Sequence, residues 1–219
     1  MAKDLALVLN NGSLNSAVIT ALAAQRFRTI MVYADIAPGG GRARSRAAYD
    51  QQVAHFKPYR EHTLPMPYLS ILAAPADTQS VDPRQTGLLA PQLLGLLPIV
   101  AAASSFAAHY QAAAVYLGLR IGSSGDELSR ATEYIQIINE LLQIPCGQVD
   151  LEVITPLLEL DPWQVVDLGF QVNVPFEKAW SCLEEGPVPC GSCRGCRSRE
   201  QAFIQAAKPD PLKLVKKSA

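Results

Sequence analysis

Short apolar runs alternate along the chain with glycine- or proline-containing turns and with longer stretches of helical period. "LALVLN" (5–10) reads as a strand, and "SAVITALAAQ" (16–25), which carries Val18 and Leu22 on one side, as the helix that follows it. "RTIMVYADI" (28–36) predicts a second strand, and "GGGRARSRAAYDQQVAHF" (39–56) a glycine-rich loop feeding a second helix. "EHTLPMPYL" (61–69) reads as a third strand, which the Pro- and Asp-rich connection "APADTQSVDPRQTG" (74–87) separates from a long uncharged helix. "AAVYLGLRIG" (113–122) has the fully apolar character of a central parallel strand. "RATEYIQIINELLQ" (130–143) is an amphipathic helix whose apolar side is expected to carry Tyr134, Ile138, Leu141 and Leu142. "VDLEVITPLL" (149–158) predicts the last strand, and "DPWQVVDLG" (161–169) a short helix with Asp161 as N-cap and Pro162 at its first position. Strands taking turns with helices imply an α/β fold: a parallel sheet covered on both faces.

Composition narrows the function. The chain has 219 residues, 49% hydrophobic and 18% charged, enough to bury one core with a small appendage. A formal net charge of -1 provides no global basic field, so nucleic acid is not an expected partner and a small molecule is. The start "MAKDLALVLN" lacks the features of a secretory signal, which points to the cytoplasm. No Asp, Glu, Lys or Arg occurs between Arg84 and Arg120, and "LLAPQLLGLLPIVAAASSFAA" (88–108) is long enough to raise a membrane span. Pro91 and Pro98 interrupt it and Ala and Ser dilute it, so a buried helix is expected, with a homodimer face around Pro98 to Ala114 as the alternative.

The densest local signal is C-terminal. Cys182, Cys190, Cys193 and Cys196 form C-x7-C-x2-C-x2-C, a spacing that can close a tetrahedral zinc site; two disulfides are the alternative in an oxidising compartment. Gly191 and Gly195 would let the backbone wrap tightly around the metal. Cys146 reads as a small buried hydrophobe. Arg194, Arg197 and Arg199 read as residues that cap and solvate a knuckle packed on the main domain, because no aromatic platform for bases accompanies them.

The stretch "WSCLEEGPVPCGSCRGCRSREQAF" (180–203) closely resembles the tail of the 7-cyano-7-deazaguanine synthases, enzymes of queuosine-precursor biosynthesis, whose pattern is W-S-C, a short loop, C-G-x-C-x-x-C-x-x-R and A-F. "ITPLLELDPWQVVDLGFQVNVPFEKAWSC" (154–182) extends the resemblance upstream. It implies a Rossmann-like sheet of the adenine nucleotide α-hydrolase, or PP-loop, type over residues 1–175, with a structural zinc on the four cysteines in a C-terminal segment, 176–219. It further implies ATP and Mg2+ as cofactors, a deazapurine-like substrate, and a ligase reaction. The ring carboxylate is adenylated, ammonia gives the amide, and a second activation and dehydration give the nitrile.

The family's PP-loop reads S-G-G-x-D-S, and the aligned positions are Asn11, Gly12, Ser13, Leu14, Asn15 and Ser16. Gly12 and the polar side chains of Asn11, Ser13 and Ser16 can still cradle an anion at the positive end of the next helix. Asn15 replaces a carboxylate that the resemblance assigns to magnesium and pyrophosphate. Other segments also depart from the pattern. "YADIAPGGGRARSR" (33–46), with Arg42, Arg44 and Arg46, stands where the family has a Y-G-Q type stretch, and "LLAPQLLGLLP" (88–98) has none of the Arg and Asn of its V-P-x-R-N signature. "SSGDELSRATEY" (123–134) replaces the purine-recognising D-Y-S-G-Y-P-D-C, leaving Asp126 as the aligned substrate contact. His55, His62 and His109 stand without a nearby Cys or acidic partner and read as ordinary core or surface residues. Two functions follow: the family's synthase activity, or a relative that keeps fold and zinc while binding a nucleotide-like ligand or a partner protein.

Overall fold

A computed structural model describes residues 4–36, 43–69, 89–122, 125–146, 151–184 and 186–212. In chain order the elements are β1 (Leu5–Leu9), α1 (Leu14–Arg26), β2 (Arg28–Asp35), α2 (Ala43–Phe56), β3 (Arg60–Pro65), α3 (Leu89–His109), β4 (Ala114–Leu117), α4 (Gly125–Cys146), β5 (Glu152–Ile154) and α5 (Pro162–Gln171). A 3-10 turn (Phe176–Lys178) and α6 (Arg194–Gln205) complete the described chain.

The five strands form one parallel sheet in the order β3-β2-β1-β4-β5. Successive side chains of β1 point to opposite faces, so its all-apolar sequence fills two cores at once. Ala6 and Val8 join Val18, Val165, Phe176 and Phe203 under α1, α5 and α6. Leu7 and Leu9 join Ile30, Val32, Val100, Ala103, Ile135 and Ile138 under α3 and α4. Phe203 of the C-terminal segment therefore lies in the same core as the first strand.

Three expectations need revision. The last strand is only Glu152–Ile154, because the chain turns at Thr155–Glu159. On α4 the buried row is Ala131, Ile135, Ile138 and Leu142, while Leu141 is 57% exposed: the helix is rotated so that residues at i, i+4, i+7 and i+11 face the sheet. Helix α3 buries Val100, Ala103 and Ala107 but exposes Leu94 and Leu97, so it is one-sided and not wholly buried. Among the described residues no helix is long and apolar enough to cross a membrane. The cap of α5 is as expected: it starts at Pro162, and the Asp161 N–H donates to Gln164 Oε1 at 2.7 Å.

Strand β1 has β2 on one side and β4 on the other, so the chain order reverses there. In open α/β sheets, crevices for ligands form outside the carboxyl ends of the strands at such a point.

Candidate functional site

The turn between β1 and α1 sits at that crevice and is held from beneath by buried amides. Asn10 is 2% exposed; its Nδ2 donates to Thr20 Oγ1 at 3.0 Å and Gln52 Oε1 at 2.9 Å, and its Oδ1 accepts the Gly12 N–H at 2.8 Å. Gln52 is fully buried and donates to the carbonyls of Gly12 and Lys178, both at 3.1 Å. The Trp180 N–H also donates to the Gly12 carbonyl, at 2.9 Å. These bonds tie the turn to α2 and to the segment leading into the cysteines. Gly12 has φ +78°, and a Cβ there would strike the Ser45 carbonyl oxygen, so both conformation and space require glycine.

Above this platform the polar side chains close on one another. Ser13 is the N-cap of α1 and accepts the Ser16 N–H at 3.3 Å; Asn11 Oδ1 accepts from Ser16 Oγ at 2.8 Å and from the Ser13 N–H at 3.1 Å. Asn15 Nδ2 donates across the crevice to the Gly118 carbonyl at the end of β4, at 3.2 Å. Leu14, the fourth nominated loop position with no polar side chain, is the first residue of α1 and is buried in the core.

Two cavities meet at this turn. One, of about 350 Å³, lies over the carboxyl ends of β1, β2 and β4, with Val32, Ala34, Ile36, Leu117 and Leu119 as apolar walls. The other, of about 630 Å³, opens toward the C-terminal segment between Arg120, Glu127, Trp180, Ser181 and Arg194. Asn11, Ser13 and Asn15 line both. An apolar chamber and a polar one joined at a helix N-terminus can hold the two halves of a group-transfer reaction with phosphate at the junction.

Arg120 lies three residues beyond the end of β4 and is half-buried. Its backbone is pinned: the N–H groups of Ile121 and Gly122 both donate to the Leu158 carbonyl, at 2.9 and 3.0 Å. Burial pulls its pKa down from the ordinary arginine value, opposed by the nearby Asp161 carboxylate.

Cys182, Cys190, Cys193 and Cys196 converge, with all four Sγ atoms within 4.8 Å of one another and the pairs Cys190–Cys196 and Cys182–Cys193 each 3.9 Å apart. A zinc tetrahedron with Zn–S of about 2.3 Å has edges of about 3.8 Å, so the donor set fits that ion. The N–H groups of Leu183, Glu184, Cys193 and Cys196 point at the sulfurs at 3.3 to 3.4 Å, as the surroundings of metal-bound thiolates do. Gly191 has φ +76°, and a Cβ at Gly195 would strike the Ser181 carbonyl, so both glycines permit the wrap. Below the cluster, Arg199 and Asp210 form a buried pair, and the guanidinium also caps the carbonyls of Ala179 at 2.7 Å and Phe176 at 2.9 Å.

Asp126 is exposed, and the carboxylate that lines the cleft is that of its neighbour Glu127. Arg46 turns to Asp50 and Thr63, and Arg44 lies over Trp180. Arg42, Gly39–Gly41 and the Cys146 side chain lie outside the described residues. His62 Nε2 is 2.8 Å from the Tyr110 hydroxyl, and His55 Nδ1 is 3.2 Å from Lys178 Nζ. Sequence reasoning passed over Asn10, Gln52 and Arg120, and took Trp180 only as the first residue of the W-S-C pattern. The one local signal for Asn10 is a polar residue ending an otherwise apolar strand.

The turn itself carries amides and hydroxyls but no carboxylate, whereas magnesium is bound through one or two carboxylates in addition to substrate phosphates. The four residues Asn11, Ser13, Asn15 and Ser16 do not make a magnesium site.

The model of a protein family described as "Queuosine biosynthesis protein QueC" matches residues 5–207. The 7-cyano-7-deazaguanine synthase of Aliarcobacter butzleri is 31% identical over 160 residues, 70% of this chain and 70% of that protein. That of Chloroherpeton thalassium is 27% identical over 94% of this chain and 95% of the relative. That of a Cyanothece species is 35% identical over a shorter stretch, 50% of this chain and 52% of its own length. Among solved structures, the U34-tRNA thiolase NcsA from Methanococcus maripaludis shares the fold: TM-score 0.52 at 12% identity, over 99% of this chain and 67% of that one.

Proposed function

The chain belongs to the QueC family of queuosine biosynthesis proteins, and from that membership we propose that it is an ATP-dependent synthase that turns the carboxylate of a 7-deazaguanine into a nitrile, with ammonia as the nitrogen source. The observation that carries this reading is the single turn, Asn11 to Ser16, that lines both an apolar cavity and a polar one.

The apolar cavity takes the adenosine, between the ends of β1, β2 and β4. The phosphates lie over Asn11–Ser16 at the positive end of α1. The acid lies in the larger cleft, where Trp180 offers a ring face and Glu127 an acceptor for ring N–H groups. In this arrangement the carboxylate oxygen attacks the α-phosphorus and pyrophosphate leaves; ammonia then displaces AMP to give the amide. A second adenylation, on the amide oxygen, lets AMP depart with that oxygen, leaving the nitrile. The chain contributes position and charge: holding nucleotide and acid on two sides of one rigid turn converts a bimolecular encounter into an intramolecular one.

Zinc, held by Cys182, Cys190, Cys193 and Cys196, is structural in this reading. It fixes the segment Trp180–Leu183, which forms one wall of the cleft.

Incubation of the zinc-loaded protein with 7-carboxy-7-deazaguanine, ATP, Mg2+ and ammonium tests the proposal, with AMP followed by chromatography and nitrile by mass spectrometry. Nitrile with two AMP per turnover is the expected result. AMP and amide without nitrile would limit the activity to the first half, and neither product from folded protein would refute it.

A further inference from the structure

Magnesium is the usual counter-charge for ATP, yet the turn that meets the phosphates carries only amides and hydroxyls at Asn11, Ser13, Asn15 and Ser16. Asn15 is moreover committed to a protein partner, since its Nδ2 donates to the Gly118 carbonyl. That leaves the amide oxygen, a neutral group and not a carboxylate, as what Asn15 could offer a cation.

A cationic side chain stands at the same cleft. Arg120 stands two residues beyond Gly118, on the stretch that both Leu158 hydrogen bonds hold in place, and lines the same cleft as Asn11, Ser13 and Asn15. Gly122, at φ +93°, brings the backbone close: a Cβ there would be 3.7 Å from Arg120 Nη1 and 3.3 Å from Asp161 Oδ1. Asp161 therefore lies near Arg120, and its charge acts on the guanidinium. Arg194, exposed at the first position of α6, adds a second cation at the rim. Among the described residues the one carboxylate lining this cleft, Glu127, stands on α4 and not on the turn.

We propose that Arg120, together with the N-terminal amides of α1, neutralises the polyphosphate of the nucleotide, in place of a magnesium ion anchored by protein carboxylates. A guanidinium presents a fork of N–H donors that matches phosphate oxygens, and a partly desolvated one interacts more strongly with an anion than one in bulk water. The inference rests on the ATP-dependent reading above but concerns how the nucleotide is held, which can be measured without turnover.

The test is calorimetric titration of ATP, and separately of inorganic pyrophosphate, into the zinc-loaded full chain. One series has no divalent cation added and one has excess magnesium; chelators are omitted because they would strip the zinc. Wild type is expected to bind both probes without magnesium, within about threefold of its affinity with it. Arg120→Gln should lose about tenfold or more for both probes, and Arg120→Lys should retain part of that affinity; thermal unfolding checks that each variant is folded. Arg60→Gln, at an exposed residue of β3 that lines neither cavity, should leave magnesium-free binding unchanged.

Binding that requires magnesium and ignores Arg120 overturns the inference while leaving the synthase reading intact, as does an equal loss from Glu127→Gln when magnesium is present. So does an Arg120→Gln protein that binds ATP and pyrophosphate normally but has lost affinity for the acid, because Arg120 would then read the other substrate. Failure of both probes to bind under every condition overturns this inference and the synthase reading together. Normal binding without nitrile formation overturns only the synthase reading.

Discussion

Asn15 Nδ2 donates to the carbonyl of Gly118 at 3.2 Å, so the first turn of α1 is tied across the crevice to the end of β4. An aspartate at residue 15 cannot make this bond, because its carboxylate would face a carbonyl oxygen. Asn15→Asp is expected to cost about 1 kcal/mol of stability, to weaken magnesium-free ATP binding, and to make binding respond to magnesium. Paired with Ser13→Gly, which frees the turn's backbone, it should raise magnesium-ATP affinity above wild type. Urea unfolding and the titrations above check both effects.

Gly12→Ala is expected to disrupt the turn. The residue sits at φ +78° with the Ser45 carbonyl where a Cβ would be, so strain and overlap add to about 2 kcal/mol or more. The melting temperature should fall and ATP binding should be lost together, because one backbone shift causes both.

Metal binding should release protons and depend on pH. Hydrogen bonds from the N–H groups of Cys193 and Ser192 hold the Cys190 thiol down at about 6, whereas burial pushes Cys196 up to about 12. At pH 7 Cys190 is mostly thiolate and Cys196 carries a proton that zinc must displace, so affinity should rise with pH above neutrality and fall further below pH 6. Titration of zinc in buffers of different ionisation enthalpy reads the proton release directly. Cys190→Ser should abolish stoichiometric zinc uptake, measured with a chromogenic chelator.

Arg199→Ala should be among the most damaging single changes, because its buried guanidinium closes the base of the larger cleft. The Arg199 and Asp210 side chains are 5% and 6% exposed; truncation leaves a buried carboxylate and the carbonyls of Phe176 and Ala179 without their donor. A loss of about 3 to 5 kcal/mol is expected from denaturant unfolding. Asp210→Asn, which keeps a polar acceptor opposite the guanidinium, should cost less.

Gln52→Leu preserves bulk but removes the donor shared by the carbonyls of Gly12 and Lys178. It is expected to cost about 1 to 3 kcal/mol and, because the turn loses its underside, to lower ATP affinity. Heat denaturation and ATP titration measure the two effects separately.

Periodicity and short spacing were enough to determine the α/β alternation, the cap at Asp161, and the four cysteines that converge within 14 residues of one another. These depend on interactions among near neighbours in the chain. The cleft is different in kind: it forms where strand order reverses, and its contacts join residues 42, 103 and 126 positions apart in the pairs Asn10–Gln52, Asn15–Gly118 and Gln52–Lys178. No local pattern marks Gln52 as buried or Arg120 as facing the turn. Alignment singled out Asp126, while the rotation of α4 about its axis brings Glu127 to the cleft wall. The sequence by itself determined the elements and the cysteine cluster, because each is encoded within a few turns of backbone. Only the tertiary structure decided which charges meet over the Asn11–Ser16 turn, because that depends on the packing of helices far apart in the chain onto one sheet.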